Sequence, residues 1–107
     1  MSDVQDRIRA TVDGNKVVIY MKGTPAAPRC GFSAATIQVL QEIGTSFTAV
    51  DVLADPETWD GVKQFSDWPT IPQVFIGGKF VGGCDIVRDL HTKGELKPIV
   101  DAAATTD

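Results

Sequence analysis

Residues 16–52 read KVVIYMKGTPAAPRCGFSAATIQVLQEIGTSFTAVDV and indicate a strand, a helix and a second strand in that order. The first six residues are a compact apolar, β-branched run, which predicts a buried strand. From Cys30 to about Ile43, apolar side chains recur every three or four residues, and Gly44 follows as the residue that ends the helix. Residues 47–52 predict the second strand, and a helical connection of this length predicts that the two strands are parallel.

The rest of the chain completes a small mixed sheet covered by helices. A Gly-Gly pair between apolar runs suits the tight turns that join antiparallel strands. Asp followed by Pro is typical of a helix start, with Asp as the N-cap. The further predicted elements are a helix over residues 3–12, a helix from Asp55 to about Asp67, a hairpin over residues 73–81 around Gly77-Gly78, and closing helices over residues 85–91 and 95–103. The order βαβ then ββα, with a helix in front, predicts an α/β domain.

Length and composition limit the possible functions. A chain of 107 residues is expected to form one domain, with an N-terminal helix within residues 1–15 and a frayed tail over residues 102–107. The net charge of -4 argues against nucleic acid and anionic membranes as partners, and no apolar run approaches the roughly 20 residues that span a bilayer. Two cysteines do not make a disulfide scaffold, so we expect a reducing compartment, the cytoplasm.

Cys30 lies between a proline-rich loop and a predicted helix start. The first turn of a helix has unpaired N–H groups and a partial positive charge, which favour a thiolate, and Lys22 and Arg29 add positive charge nearby. Cys30 is therefore a candidate nucleophile or metal ligand. A dithiol oxidoreductase would need its resolving cysteine one turn on, where this chain has Ser33, so Cys30 must work with a thiol from elsewhere. Phe32 either packs beside the cysteine or fills the core.

Two further segments carry unusual residue patterns. In Thr70-Ile71-Pro72 a proline enters a strand, which is tolerable if the Ile71–Pro72 bond is cis and forms a sharp turn. Gly82-Gly83-Cys84-Asp85 follows a strand and opens a helix. Its N–H groups and Asp85 could hold the carboxylate and the ammonium of an amino-acid-like group. Alternatively, Asp85 only caps the last helix.

These segments together resemble the monothiol, CGFS-type glutaredoxins of the thioredoxin superfamily. The residues that carry the resemblance are MKGTP at 21–25, CGFS at 30–33 and WPTIPQVFIGGKFVGGCDI at 68–86, and the match extends from about Val17 to Leu96. The resemblance implies a thioredoxin-like fold, an α/β arrangement with a small mixed four-stranded sheet flanked by helices, and a cis-proline at Pro72. It also implies glutathione binding by Lys22, Cys30, Phe32, Trp59, Thr70, Ile71, Pro72, Gly83, Cys84 and Asp85.

Members of this family typically carry a [2Fe–2S] cluster between two subunits and serve iron–sulfur cluster assembly and delivery. The resemblance therefore implies Cys30 as the metal ligand, a homodimer when the cluster is bound, and assembly or recipient proteins as partners. One departure stands out. Many relatives have a basic residue, usually Arg, where this chain has Trp59, although Lys63 lies one turn further on.

The number of thiolate ligands that a cluster needs supports the same interpretation. A [2Fe–2S] cluster commonly takes four thiolates, and one chain offers only Cys30 at the exposed site. Two chains and two glutathione thiols would complete the set. Two alternatives remain. Cys30 could act as a weak glutathione-dependent oxidoreductase that takes glutathione from a protein and releases it to a second glutathione, or the domain could be an interaction module with a vestigial site. The sequence also leaves open whether Cys84 pairs with Cys30.

Overall fold

The computed structural model describes residues 3–104 and consists of helices around a mixed sheet. The helices are α1 (Asp3–Gly14), α2 (Gly31–Ile43), α3 (Pro56–Ser66), α4 (Cys84–Thr92) and α5 (Leu96–Ala104). The strands are β1 (Val17–Met21), β2 (Gly23–Thr24), β3 (Ala27–Pro28), β4 (Thr48–Asp51), β5 (Gln73–Ile76) and β6 (Lys79–Gly82).

The main sheet has four strands in the order β4-β1-β5-β6. Strand β1 pairs in parallel with β4, with Val18 opposite Thr48, and antiparallel with β5, with Val18 opposite Phe75. Strands β5 and β6 form the antiparallel hairpin. The predicted parallel pair and the predicted hairpin are therefore both confirmed, and so is the small mixed four-stranded sheet flanked by helices.

Both faces of the sheet are covered because alternate residues of β1 point to opposite sides. Val17, Ile19 and Met21 pack in one core with apolar residues of α2, α4 and α5. Val18 and Tyr20 pack in a second core with apolar residues of α1 and α3. All five β1 residues are buried, which explains why this strand reads as a continuous apolar run rather than an alternating one.

Three predictions need correction or completion. The proline-rich segment before Cys30 (residues 22–29), expected to be a loop, contains the short β2–β3 ladder. Helix α1 continues two residues past its predicted end at residue 12, to Gly14. Residues 102–104 belong to α5 rather than to a frayed tail, because Ala103 is buried beside the Gly77 turn. The remainder of the predicted tail, residues 105–107, lies outside the described residues.

Candidate functional site

One groove brings together every residue that the sequence analysis assigned to the site. Its volume is about 600 Å³, which is within the range of small-ligand pockets, and it lies beside the first residues of α2 and α4. The predicted residues that line it are Lys22, Cys30, Phe32, Trp59, Thr70, Ile71, Pro72, Gly83, Cys84 and Asp85. Segments distant in sequence thus form one concave surface around a cysteine.

Cys30 is partly exposed and immediately precedes α2. Its pKa is lowered, chiefly because the backbone N–H of Ser33 donates to the sulfur. Partial burial acts in the opposite sense, while the N–H of Phe32, the charge of Lys22 and the hydroxyl of Ser33 also lower this pKa. The start of α2 therefore favours the thiolate, which is the form that acts as a nucleophile or binds a metal.

The backbone at Lys22 is fixed by three hydrogen bonds. The N–H of Lys22 donates to Ser33 Oγ (3.1 Å), and the carbonyl oxygen of Lys22 accepts from the N–H of Arg29 (2.9 Å). The following N–H, that of Gly23, donates to Asp51 Oδ1 (2.9 Å). Side chains from α2 and β4 thus determine where the Lys22 side chain leaves the backbone.

The Lys22 ammonium lies over the indole ring of Trp59, with Nζ 5.2 Å from the ring centroid. Such a cation–π contact is worth about 0.5–1 kcal/mol at an exposed site. The indole ring of Trp59 thus supports the ammonium group of Lys22 at the edge of the groove. Lys63 lines the same groove from α3, with Nζ 3.7 Å from Asp60 Oδ1.

The segment before β5 forms another wall of the groove. The Ile71–Pro72 peptide bond is cis, as the resemblance implied. The fully buried Gln73 holds the preceding turn, because its Nε2 donates to the carbonyl oxygens of Trp68 (3.0 Å) and Thr70 (3.1 Å). One amide side chain therefore fixes the backbone that presents Thr70 to the groove.

The first turn of α4 forms the wall that contains Cys84 and Asp85. The N-cap of this helix is Gly83, without a capping side-chain hydrogen bond, so Asp85 lies inside the first turn and does not cap the helix. The carboxylate of Asp85 is exposed beside the groove, whereas Cys84 is buried, with 6% of its surface accessible. The first-turn N–H groups and the nearby carboxylate form the arrangement that the sequence predicted for an amino-acid-like group.

Within residues 3–104, no three His, Cys, Asp or Glu side chains are grouped closely enough to hold a metal ion. Both cysteines are free thiols, and Cys30 is the more accessible of the two. The described residues therefore fit a four-thiolate cluster only if further ligands come from outside the chain.

The comparisons with known proteins agree with this geometry. The glutaredoxin family model matches residues 17–81. The chain belongs to the glutaredoxin family. This glutaredoxin is 46% identical over 101 residues to a monothiol glutaredoxin of Synechocystis, with 94% of each chain covered. It is also 42% identical over 105 residues to the mitochondrial monothiol glutaredoxin-5 of Saccharomyces cerevisiae, covering 95% of this chain and 70% of that protein.

The fold comparison gives the same result for this glutaredoxin. The solution structure of reduced poplar apo GrxS14 matches it with a TM-score of 0.85 at 38% identity, over 96% of this chain and 94% of that chain. The resemblance to monothiol glutaredoxins and the thioredoxin-like fold are therefore both confirmed. No helix within residues 3–104 is long and apolar enough to cross a bilayer. Because the yeast relative is mitochondrial by name, the cytoplasmic location stays a prediction.

Several residues of the groove were not assigned from the sequence. Trp68, Pro69 and Ile86 line the groove, and each lies within the WPTIPQVFIGGKFVGGCDI segment, so that motif could have indicated them. Gln73 was missed as a support, although a polar residue opening a buried strand is a recognisable signal. Asp51 gave no such signal, because an aspartate at a strand end is ordinarily solvated.

Proposed function

We propose that this glutaredoxin binds glutathione and carries a [2Fe–2S] cluster shared between two copies of the chain, for cluster assembly and transfer. One observation carries the proposal. The groove has a single accessible thiol, Cys30, with a lowered pKa, and the position one turn on is a buried serine. A lone thiolate cannot close a local disulfide, but it is suited to a ligand set completed by other molecules.

The charges along the groove support glutathione as the small thiol. Lys22 and Lys63 offer cations for the carboxylate of the glycine end. The N–H groups at the start of α4 suit the carboxylate of the γ-glutamyl end, and Asp85 suits its ammonium. Cys30 lies in the same groove, so the thiol of a ligand bound in this way would come near the Cys30 sulfur.

Exposed apolar side chains at the groove support the association of two copies through a cluster. Phe32 is 61% exposed and Ile86 is 39% exposed, and both line the groove that contains Cys30. A partner chain that supplied its own Cys30 would cover them. The role proposed here requires a reduced Cys30, which is consistent with the cytoplasm. Further partners would be iron–sulfur assembly or recipient proteins.

A second candidate function is removal of glutathione from proteins, favoured by the lowered pKa of Cys30. The Cys30 thiolate would attack the glutathione sulfur of a mixed disulfide and release the protein thiolate. A second glutathione thiolate would then attack the Cys30–glutathione disulfide, giving glutathione disulfide and free Cys30. This route needs no residue other than those of the same groove, and we assign it a weak activity beside cluster binding.

Anaerobic reconstitution tests the main proposal. The protein is incubated with iron and sulfide, with and without glutathione, and the visible absorbance of the desalted protein is recorded. We expect a [2Fe–2S] spectrum only when glutathione is present, because one chain supplies one of the four thiolates. A cluster that forms equally well without any added thiol would contradict the proposed ligand set.

The replacement of Trp59 by arginine tests glutathione binding separately from cluster binding. We expect Trp59→Arg to bind glutathione more tightly by up to ~1 kcal/mol, since a guanidinium can pair with a carboxylate through two hydrogen bonds and solvent exposure limits the gain. Calorimetry of glutathione binding measures the difference. Trp59→Leu is the matched control, because it also removes the platform under Lys22 but adds no cation, and it should weaken binding. Equal affinities of the two variants would mean that residue 59 does not face the carboxylate.

A further inference from the structure

Asp51 joins the two segments that carry Lys22 and Trp59. It is the last residue of β4, and its Oδ1 accepts from the backbone N–H of Gly23 (2.9 Å) and from that of Leu53 (2.9 Å). Gly23 directly follows Lys22 in the chain. Leu53 lies in the turn that connects β4 to α3, the helix that carries Trp59. One carboxylate oxygen therefore holds both segments in place.

These two links are of a strong kind. Hydrogen bonds to a charged acceptor are about twice as strong as those between neutral groups, and the Asp51 oxygen accepts two of them. The N–H of Val52 also donates to the Met21 carbonyl oxygen (2.9 Å), so the same turn is tied to the last residue of β1. The turn then leads into Asp55, the N-cap of α3. The end of β1 and the entry to α3 thus form one connected unit.

This unit presents a cation supported by an aromatic ring to the groove. The Lys22 Nζ lies 5.2 Å from the centroid of the Trp59 indole, and both residues line the groove. A lysine side chain that is already held in one place loses less conformational freedom when it pairs with a carboxylate than a freely moving one does. The Lys22–Trp59 pair is therefore suited to recognising charge at the carboxyl end of a ligand.

We infer that Asp51 is a positioning residue, which fixes the backbone after Lys22 and the entry to α3 relative to each other, so that the Lys22–Trp59 pair recognises the charge at the carboxyl end of the ligand. The inference rests on the proposed function only for the identity of that ligand. One of its two readouts is measured without ligand, so failure of the inference and failure of glutathione binding are distinguishable.

The ligand-free readout is the NMR position of the Lys22 side-chain protons. An indole ring shifts protons that lie over its face upfield, so the Lys22 Hε resonances report the contact with Trp59. We expect them upfield in the wild type and, in Asp51→Ala, moved most of the way to their position in Trp59→Leu. Asp51→Asn should keep the wild-type position, because its amide oxygen is still an acceptor. A wild-type position in Asp51→Ala would overturn the inference.

The second readout compares glutathione with its glycine ethyl ester, which lacks the terminal carboxylate. By calorimetry, we expect the wild type to bind glutathione about fivefold more tightly than the ester, the upper end for a partly exposed ion pair. This ratio should fall below about twofold in Asp51→Ala and stay at about threefold or more in Asp51→Asn. Equal wild-type affinities, or an unchanged ratio in Asp51→Ala, would overturn the inference. A wild type that binds neither ligand would contradict the proposed function, and the Lys22 resonances would still decide the inference.

Asn15→Ala is the matched control, because it removes the same number of side-chain hydrogen bonds beside the opposite end of β4. The Nδ2 of Asn15 donates to the Thr11 carbonyl oxygen (2.8 Å), and its Oδ1 accepts from the Thr48 hydroxyl (3.1 Å). Both readouts of this variant should equal those of the wild type. If Asn15→Ala changes both as far as Asp51→Ala does, a general loosening of β4 accounts for the effect and the inference is wrong.

A measurement on the wild type keeps the inference testable if Asp51→Ala does not fold. A hydrogen bond from an amide to a carboxylate is detected by NMR as a scalar coupling between the amide nitrogen and the carboxyl carbon. We expect such couplings to the Asp51 Cγ from the nitrogens of both Gly23 and Leu53. The absence of either coupling would overturn the joining role of this carboxylate.

Discussion

Cys30→Ser is expected to remove the cluster and the dimer together and completely. A serine hydroxyl stays protonated at neutral pH and cannot replace a thiolate ligand, and each chain supplies only this one thiolate to the proposed set. The variant should therefore stay colourless after reconstitution with iron, sulfide and glutathione, and it should elute as a monomer. Size-exclusion chromatography with simultaneous visible absorbance measures both properties.

The control is Cys84→Ser, because it removes the other cysteine of the chain. Cys84 is buried, and the neighbouring first-turn N–H groups of α4, which the proposal assigns to glutathione, need no thiol. We expect this variant to keep most of its cluster and its dimer. If it loses the cluster as completely as Cys30→Ser does, Cys84 is a ligand, and the proposed set of two Cys30 thiolates and two glutathiones is wrong.

Gly23→Ala is expected to give the largest loss of stability of any single methyl addition near the groove. Gly23 has φ +91°, and an added Cβ would lie 2.6 Å from the carbonyl oxygen of Ala27 and 2.7 Å from the nitrogen of Arg29. Ala27 belongs to β3, and the Arg29 nitrogen directly after β3 donates to the Lys22 carbonyl oxygen at 2.9 Å, so neither backbone atom can move aside without disturbing the ladder. We expect a loss of about 3 kcal/mol in the free energy of unfolding, measured by urea denaturation.

Gly14→Ala provides the comparison for this stability measurement. Gly14 is the last residue of α1, and an added Cβ would meet no atom within 4 Å. Alanine is the better helix former, so this variant should be equally stable or up to about 0.5 kcal/mol more stable than the wild type. If Gly23→Ala unfolds at the same urea concentration as Gly14→Ala, the β2–β3 ladder does not have the close backbone approach described here.

Much of the fold follows from local sequence patterns. The apolar run of β1, the helical spacing in α2 and the Gly77-Gly78 turn each determine their own element, and Asp55 caps α3 as predicted, accepting from the Thr58 N–H at 3.3 Å. In such segments the secondary-structure preference of the local sequence agrees with the tertiary environment, so the element can be predicted from the sequence.

The short β2–β3 ladder could not be predicted in this way. Its strands have two residues each, and the loop is held by Asp51, which accepts from the N–H groups of Gly23 and Leu53 at 2.9 Å each. A hairpin of this size depends on contacts with a residue almost thirty positions away rather than on its own composition.

The residues assigned to the site line one groove, but the sequence did not indicate all of the interactions within it. The resemblance to monothiol glutaredoxins implied ten site residues, all of which line this groove. It could not reveal that Trp59 lies under Lys22, because that contact depends on how α3 packs beside the end of β1. It also missed the hydrogen bonds from Gln73 to the turn before β5, since nothing in the local sequence shows which carbonyl groups a buried amide will meet.

Native mass spectrometry of the reconstituted wild-type protein tests the central claim most directly, because it weighs the assembly with all its ligands. We expect one species with the mass of two chains, one [2Fe–2S] cluster and two glutathiones, together with a single chain without cluster or glutathione. A single chain that retains a cluster, or a cluster-bound dimer without glutathione, would contradict the shared-ligand mechanism.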